Sequence, residues 1–281
     1  MARCGIGRNV RRPGVGALRI RAAVAAWRIR PIRSDARFFG HIYDLVSAAH
    51  DEGAQLLVLP ELFCLELLGL EPRLDEAKAP RYLAQYAAPI EEWMSRIAKN
   101  SGLVIVGGSH FRERDGKIVN AAPIALPDGQ VLFQEKNNLT EYERVEWKLD
   151  RGEGLQALPD PLGVLVCYDS EFPEAVRRHT ENGARLLAVP SWTETQRGFQ
   201  RVRWSVLARA LENQIFAIHA SLVGDLGGEP VPTTFGSSAI IAPSIEPFPV
   251  EAILRETPLG EEGVVVADLD FDLLEAARVT A

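Results

Sequence analysis

The sequence has few cysteines, and their spacing excludes the folds that depend on them. The chain has 281 residues but only three cysteines, Cys4, Cys64 and Cys167, with no C-x-x-C spacing. Three cysteines cannot all pair, and this spacing predicts neither a disulfide framework nor a zinc ribbon. We therefore expect a protein of the reducing cytoplasm, with no metal site.

Long hydrophobic runs and a net positive charge are also absent. Glu61 and Glu66 interrupt the most apolar region, residues 56–70, so no stretch reaches the roughly 18 to 20 apolar residues of a membrane span. Lys and Arg number 31 against 38 Asp and Glu, which gives a formal net charge of −7. We therefore expect no membrane partner and no nucleic-acid partner. With 47% hydrophobic and 25% charged residues, the composition is typical of a globular protein.

The basic residues are concentrated at the start of the chain. Nine arginines precede the first acidic residue, Asp35. An acid-poor, basic segment is typical of a transit peptide or a nucleic-acid-binding arm, but the glycines and Pro13 break any amphipathic helix here. We interpret residues 1–17 as a basic flexible leader, or as the result of a start codon assigned too early. Residues 18–281 are predicted to form the functional domain.

Apolar runs of strand length alternate with segments of helical period, which predicts an α/β fold. Strands are predicted at 18–26, 55–59, 103–107, 118–126, 130–136, 163–167, 185–189, 215–221, 237–241 and 263–268, and helices at 38–51, 82–100, 173–183 and 199–213. The turn at 127–129 joins two of these strands into an antiparallel hairpin. No linker rich in Pro, Gly or Ser divides the chain, so we predict a single domain.

Three of the predicted strands lead into a side chain that can do chemistry: Glu61, Lys136 and Cys167. In open α/β sheets, the loops beyond the carboxyl ends of the strands gather reactive groups on a rigid scaffold. Each residue alone also has a plain structural interpretation, as a core cysteine or as a charge at a strand end. Cys167 lies in a predicted strand-to-helix turn, where helix N–H groups would favour the nucleophilic thiolate.

Three motifs in this order resemble the nitrilase, or carbon-nitrogen hydrolase, superfamily. They are LPELF at 59–63, EKNNLTEYER at 135–144 and CYDSEFPE at 167–174. The resemblance extends from about residue 18 to about residue 270, which is nearly the whole chain outside the leader. It implies a four-layer αββα sandwich of the nitrilase type, a homodimer or larger homo-oligomer, and no metal or organic cofactor.

The resemblance also implies an amidase-type site with a Glu-Lys-Cys triad, formed by Glu61, Lys136 and Cys167. Glu143 is implied as a second carboxylate, ahead of its neighbours Glu141 and Glu146, because it precedes Arg and Trp at the spacing of the family. The implied reaction is hydrolysis of a small linear carboxamide or N-carbamoyl compound through a cysteine thioester. Its products are a carboxylic acid and ammonia or an amine.

Four further residues are predicted to bind substrate. Tyr168 and Glu171 follow the nucleophile in sequence, and Trp192 and Thr193 belong to a segment that resembles a pocket-lining segment of the family. Glu171 stands where many amidase members have an arginine, which argues against a preference for acidic substrates. Trp192 has the alternative interpretation of an ordinary core aromatic.

Other functions stay open at this stage. A nitrile would react through a thioimidate at the same cysteine, and an acyl acceptor other than water would make the protein a transferase. A catalytically silent binding protein is a third alternative. Less favoured are a serine amidase centred on 237–238 and a Cys-His protease that uses His179 or His219 as its base.

Overall fold

A computed structural model describes residues 18–280. The predicted leader, residues 1–17, lies outside the described residues. The strands are β1 (Arg19–Ile29), β2 (Leu56–Val58), β3 (Val104–Val106), β4 (His110–Arg114), β5 (Lys117–Ala125), β6 (Val131–Glu135), β7 (Leu162–Val164), β8 (Leu186–Ser191), β9 (Phe216–Gly224), β10 (Ala239–Ile241), β11 (Ile253–Glu256) and β12 (Gly263–Asp270). The α-helices are α1 (Asp35–Asp51), α2 (Ala79–Leu83), α3 (Ala87–Ser101), α4 (Glu141–Val145), α5 (Pro173–Glu181), α6 (Gln196–Asn213) and α7 (Phe271–Thr280).

The strands form two half-sheets that share β1. In the first, β1 pairs with β12 and β2, and the sheet continues through β3 to β5, which also pairs with β4 and β6. The second contains β7, β8, β9, β10 and β11. The end of β1 joins the two, because Trp27 lies opposite Leu222 of β9 in a parallel pairing.

Side chains alternate along β1, as expected of a strand that is buried on both faces. Ala22 and Val24 belong to a core that also contains Val189 of the second half-sheet. Ala23 and its neighbours of the same parity pack instead in the core with Phe38 of α1. The helices α1 and α3 cover the first half-sheet, and α5 and α6 cover the second. This is the αββα sandwich implied by the resemblance, and the predicted fold is confirmed.

The strand directions place three loops at one end of the sandwich. In the first half-sheet, β2 and β3 are parallel, and β6 has the same direction because both β3 and β6 are antiparallel to β5. In the second, β7 and β8 follow the direction of β9, which is parallel to β1. The carboxyl ends of β2, β6 and β7 therefore lie at the same end of the sandwich, as the sequence predicted.

The structure differs from the predicted elements in a few places. The single helix predicted at 82–100 is two helices, α2 and α3, separated by the 3₁₀ turn Ala84–Tyr86. Pro89 explains the break, because proline fits the first turn of α3, where its missing N–H has no partner to lose. The strands β4 and β11 and the helices α4 and α7 were not predicted. In the described part of the chain, no helix is both long and apolar enough to cross a membrane.

Candidate active site

Glu61 lies in the loop after β2 with its carboxylate buried and fully hydrogen-bonded. Its Oε1 accepts hydrogen bonds from Lys136 Nζ at 2.8 Å and Asn120 Nδ2 at 3.0 Å. Its Oε2 accepts one from the Trp192 backbone N–H at 2.9 Å. Burial raises the pKa of Glu61, the Lys136 charge opposes this shift, and the Glu143 charge adds to it. The carboxylate is therefore a better proton acceptor than an exposed glutamate.

Lys136 directly follows β6 and lies between two carboxylates. Its Nζ is 2.8 Å from Glu61 and 2.8 Å from Glu143, and the side chain is only 2% exposed. Burial alone would lower the pKa of Lys136, but the charges of Glu143 and Glu61 outweigh it and hold that pKa well above its ordinary value. The ammonium is therefore a fixed positive charge at neutral pH.

Glu143 is held in place by the start of α4. Its backbone N–H donates to Thr140 Oγ1, and its Oε2 accepts from the Thr140 backbone N–H at 2.9 Å, which forms a capping box. Its Oε1 accepts from Lys136 Nζ at 2.9 Å. The neighbouring carboxylates Glu141 and Glu146 are exposed. Of the three glutamates near this motif, the structure thus brings Glu143 to Lys136.

Cys167 is the first residue of the 3₁₀ helix Cys167–Glu171, and its φ of 47° lies in the left-handed region. This conformation is unfavourable for a residue with a Cβ and is common at functional turns. The Sγ is 3.6 Å from the Trp192 carbonyl oxygen. Burial and the charge of Glu61 raise the pKa of the thiol well above its ordinary value, against a smaller opposite effect of Lys136.

This direction corrects the expectation that the turn favours a thiolate. The helix after Cys167 is a single 3₁₀ turn, and the thiol is 5% exposed. Desolvation of the thiolate and its repulsion by Glu61 raise the pKa of Cys167 by more than the Lys136 charge and the Trp192 backbone lower it. The raised pKa favours the neutral thiol, which lies beside the Glu61 carboxylate.

Sequence reasoning missed two residues that organise this cluster. Asn120 of β5 lies opposite Lys136, and its Nδ2 donates to both Glu61 and Glu143. The signal was a single polar residue inside the apolar strand predicted at 118–126. Asp169 is fully buried and accepts hydrogen bonds from the backbone N–H groups after Lys136, at distances down to 2.7 Å. It thereby joins the lysine loop to the cysteine turn.

A cavity of about 410 Å³ opens onto these side chains. Its lining residues come from the loops at the carboxyl ends of the strands and from the start of α6: Glu61, Lys136, Thr140, Tyr142, Glu143, Cys167, Trp192, Thr193, Glu194, Thr195, Gly198 and Glu229. Trp192 and Thr193, two of the predicted substrate-binding residues, are among them. The indole of Trp192 stacks on Trp147, and Tyr142 packs edge-on against the same ring.

The other two predicted substrate-binding residues are not among the described residues that line this cavity. Tyr168 packs edge-on against Phe172, and Glu171 forms an ion pair with Arg201. The 3₁₀ turn rotates the chain after Cys167, so residues adjacent to the nucleophile in sequence face other parts of the fold.

The residues of the less favoured interpretations are also held elsewhere in the fold. His219 is fully buried, and its Nδ1 accepts a hydrogen bond from Arg203. Ser238 is buried and donates to the carbonyl oxygen of Ala25. His179 packs against Gly163. Among residues 18–280, no group of His, Cys, Asp and Glu side chains has the arrangement of a metal site.

Comparison with known proteins places the chain in a family. Residues 21–279 match the carbon-nitrogen hydrolase family. The chain is 31% identical to the probable hydrolase YhcX of Bacillus subtilis over 92% of this chain and 51% of that protein, so it spans about half the length of this relative. It is 26% identical to the omega-amidase NIT2 of Xenopus tropicalis over 92% of each chain.

Solved structures agree with this assignment. An amidase from Nesterenkonia sp. is 28% identical, with a TM-score of 0.72 over 93% of this chain and 94% of that one. Nit3 of Saccharomyces cerevisiae, described as a member of branch 10 of the nitrilase superfamily, is 22% identical, with a TM-score of 0.77 over 94% of each chain, and supports the fold alone. The chain belongs to the carbon-nitrogen hydrolase family.

Proposed function

We propose that the protein hydrolyses the carbon–nitrogen bond of a small linear carboxamide or N-carbamoyl compound through a thioester on Cys167. The observation that carries this proposal is a thiol, a carboxylate and an ammonium that open onto one cavity, with Lys136 Nζ 2.8 Å from Glu61. An omega-amidase and an amidase among the similar proteins support the choice of an amide as substrate.

In the first half of the reaction, Glu61 accepts the thiol proton as Cys167 attacks the carbonyl carbon. The carbonyl oxygen becomes an oxyanion. An ammonium has three donors, and Glu61 and Glu143 together account for two of those of Lys136, so one remains for the oxyanion. A fixed donor of this kind contributes roughly 3 to 4 kcal/mol to the transition state, and a backbone N–H after Cys167 adds to it.

In the second half, the protonated Glu61 gives its proton to the departing nitrogen, and ammonia or an amine leaves. The acyl group remains on the sulfur as a thioester. Glu61 then removes a proton from water, and the resulting nucleophile attacks the thioester. The C–S bond breaks, the proton on Glu61 returns to the Cys167 sulfur, and the acid is released. Glu143 acts as a positioning residue, because its carboxylate holds the Lys136 ammonium. No step requires a metal or an organic cofactor.

The remaining expectations concern the setting of the enzyme. We place it in the cytoplasm, where Cys64 and Cys167 stay reduced, with a small-molecule amide as its partner rather than nucleic acid or a membrane. A homodimer or larger homo-oligomer would cover Trp204 and Leu211, two apolar side chains exposed on α6.

The test is release of ammonia from simple aliphatic amides, N-carbamoyl amino acids, ω-amides and nitriles. We expect release from amides or N-carbamoyl compounds, and a loss of about 10⁴-fold or more in Cys167→Ala. Cys64→Ala is the matched control. Burial raises the pKa of Cys64 to about 12, and this cysteine does not line the cavity. We therefore expect Cys64→Ala to leave the rate unchanged.

Acid quenching during turnover, followed by mass spectrometry, identifies the intermediate. The proposal predicts the acyl mass on the peptide that contains Cys167. Ammonia release that survives in Cys167→Ala would contradict it, and turnover of nitriles alone would favour the nitrilase alternative.

A further inference from the structure

Asn120 closes a ring of hydrogen bonds around the two glutamates of the site. Lys136 Nζ donates to Glu61 Oε1 at 2.8 Å and to Glu143 Oε1 at 2.9 Å. Asn120 Nδ2 donates to the same two oxygen atoms, at 3.0 Å and 3.1 Å. An ammonium and an amide thus bridge the same pair of carboxylate oxygens. The proposed chemistry assigns a role to every member of this ring except Asn120.

The orientation of the Asn120 amide follows from this ring. An amide has two N–H hydrogens, and here one is donated to each glutamate. The Asn120 Oδ1 is buried and accepts no hydrogen bond in the described part of the chain. A flipped amide would place this oxygen against two carboxylates and would remove a donor from both of them. Asn120 therefore binds the glutamates although its own acceptor is unpaired, which lowers stability.

The sheet fixes the position of Asn120. The residue lies within β5, opposite Phe111 of β4, and its carbonyl oxygen accepts a hydrogen bond from the Lys136 backbone N–H at 2.8 Å. Its side chain is buried and is not among the described residues that line the cavity. Glu61 and Glu143, in contrast, belong to a loop and a short helix. Asn120 thus ties both carboxylates to a rigid strand without access to a ligand in the cavity.

The ring contains more negative than positive charge, because two carboxylates face one ammonium. Burial raises the pKa of Glu61, the Lys136 charge lowers it, and the Glu143 charge raises it further. Hydrogen bonds donated to a carboxylate favour its ionised form. A second cation in place of Asn120 would favour that form more strongly and would make Glu61 a weaker base. A neutral amide keeps the carboxylate ionised with a smaller loss of basicity.

The same contacts orient Glu61 toward the nucleophile. A carboxylate has about four lone-pair positions, and an ammonium, an amide and a backbone N–H occupy three of those of Glu61. The thiol of Cys167 interacts with the same carboxylate. Loss of the Asn120 donor would leave Glu61 Oε1 held by Lys136 alone.

We propose that Asn120 is a positioning residue of the reaction, whose amide holds Glu61 ionised and oriented toward the Cys167 thiol. The inference rests on the proposed function, because Glu61 is the base of that reaction. Asn120 acts through Glu61, and the proton passes from the sulfur to the Glu61 carboxylate as before. Without the amide, Glu61 and Glu143 repel each other across a single ammonium, and Glu61 is protonated over a wider range of acidic pH.

The test is the pH profile of kcat/KM for an amide that the native protein hydrolyses, compared with that of Asn120→Leu. Leucine has a similar branched shape and no hydrogen-bonding group. We expect kcat at neutral pH to fall by about 10- to 100-fold and the acidic limb to move to higher pH by about one unit. KM should change by less than about threefold, because Asn120 does not line the cavity.

Two further variants attribute the shift to the amide. Asn120→Ser has a single hydroxyl hydrogen, which cannot bridge both glutamates, so a smaller shift in the same direction is expected. This variant also serves as the test where Asn120→Leu does not fold. Asn213→Leu removes another buried asparagine, whose amide donates to the Arg209 carbonyl oxygen, and should keep the native pH profile. An equal loss of rate at every pH in both Asn120 variants would overturn the proposal, because a structural defect alone produces that result.

Alkylation of Cys167 by iodoacetamide provides a readout that requires no amide hydrolysis. Mass spectrometry of the peptide that contains Cys167 gives the alkylation rate at each pH. The acidic limb of this profile reports the coupled titration of the thiol and Glu61. We expect it to move to higher pH by about one unit in Asn120→Leu and to be unchanged in Asn213→Leu.

The two readouts separate this inference from the proposed function. Hydrolysis of an amide by the native protein, with native pH profiles in Asn120→Leu, would refute the role of Asn120 alone. A shifted alkylation profile without hydrolysis of any amide would refute the hydrolase proposal and support the role of Asn120. Absence of hydrolysis together with an unshifted alkylation profile would refute both.

Discussion

Two buried carboxylates lie five residues apart after β2, and their surroundings differ in a way that separates chemistry from structure. Glu61 belongs to the Lys136 cluster, which consists of Glu61, Lys136, Glu143 and Cys167. Glu66 belongs to the His41 cluster, which consists of Trp27, His41, Glu66 and Glu262. Glu66 Oε2 accepts a hydrogen bond from Trp27 at 2.8 Å and lies 3.0 Å from His41 Nδ1. Both carboxylates are thus hydrogen-bonded and paired with a basic side chain.

The difference lies in what each carboxylate can reach. Glu61 lines a cavity beside the thiol of Cys167. Glu66 is fully buried, and the ring of Trp27 packs over His41 with 3.9 Å between centroids. A buried, ion-paired glutamate is therefore insufficient evidence for a catalytic role. Access to a ligand and a second reactive group decide the matter.

Among changes to these carboxylates, the largest effect that we expect is the loss of activity in Glu61→Gln. An amide cannot accept the thiol proton, so kcat for any substrate falls by about 10³-fold or more. Lys136 keeps its partner Glu143, and stability changes by less than about 2 kcal/mol. Initial rates and urea denaturation of the same preparation measure the two effects. A rate within tenfold of the native one would remove Glu61 from the mechanism.

The matching change in the His41 cluster is Glu66→Gln, which we expect to affect stability rather than activity. Replacing this carboxylate removes the fully buried one of the two charges that face His41, leaves Glu262 as its one remaining carboxylate partner, and disturbs the acceptor of the Trp27 N–H. We expect a loss of about 3 kcal/mol of stability with little change in kcat. Denaturant midpoints and rates at saturating substrate measure it, with the exposed Glu71→Gln as control. A variant that is stable but inactive would show that the His41 cluster contributes to catalysis, and the two clusters would then not differ in function.

A smaller effect is expected for Glu143→Gln. The amide still accepts from Lys136 but no longer supplies a negative charge, so Lys136 is less well held, and kcat falls by about 10- to 100-fold. Because the Glu143 charge raises the pKa of Lys136, its loss also moves any decline of activity at alkaline pH to lower pH. Glu141→Gln, in the same helix but exposed, is the control for a purely structural effect. An unchanged pH profile would contradict the positioning role.

The proximity of Glu61, Lys136 and Cys167 could be predicted because each follows an apolar strand, and the carboxyl ends of these strands meet. Asn120 and Asp169 could not be placed, because their contacts depend on strand pairing and loop packing between residues distant in sequence. Short helices were not predicted for a related reason. Five-residue α4 is too short for a helical period, although the Thr140–Glu143 capping box was visible in the sequence.

The walls of the cavity were the least predictable part. Tyr168 and Glu171 were chosen for their proximity to Cys167 in sequence, and the 3₁₀ turn directs them to Phe172 and Arg201. Glu194 and Glu229 reach the cavity from loops that sequence alone does not connect to it. A cavity wall is a property of loop packing, whereas a residue at a strand end is fixed by the sheet.

The smallest effect that we expect is a pH dependence of stability that originates in the His41 cluster. Burial lowers the pKa of His41, but hydrogen bonds and charges of Glu262 and Glu66 outweigh it, so the pKa is raised above 6.5. The resulting stabilisation is fully present below 6.5 and is lost as the pH rises through the folded pKa. Burial opposes the shift of Glu262, but His41 lowers its pKa below 4.5, so that contribution is present above 4.5 and lost on acidification.

This pairing therefore contributes most between pH 4.5 and 6.5. The pKa of Lys136 is held well above its ordinary value, so the titration of Lys136 itself adds no comparable change in stability around neutral pH. The free energy of unfolding of the native protein should decrease between about pH 6 and about pH 9. The difference between the native protein and His41→Asn should be smaller at the higher pH. His50→Asn, an exposed histidine on the same helix, should keep the native decline. An equal decline in His41→Asn would assign the effect to another group and weaken the distinction between the two clusters.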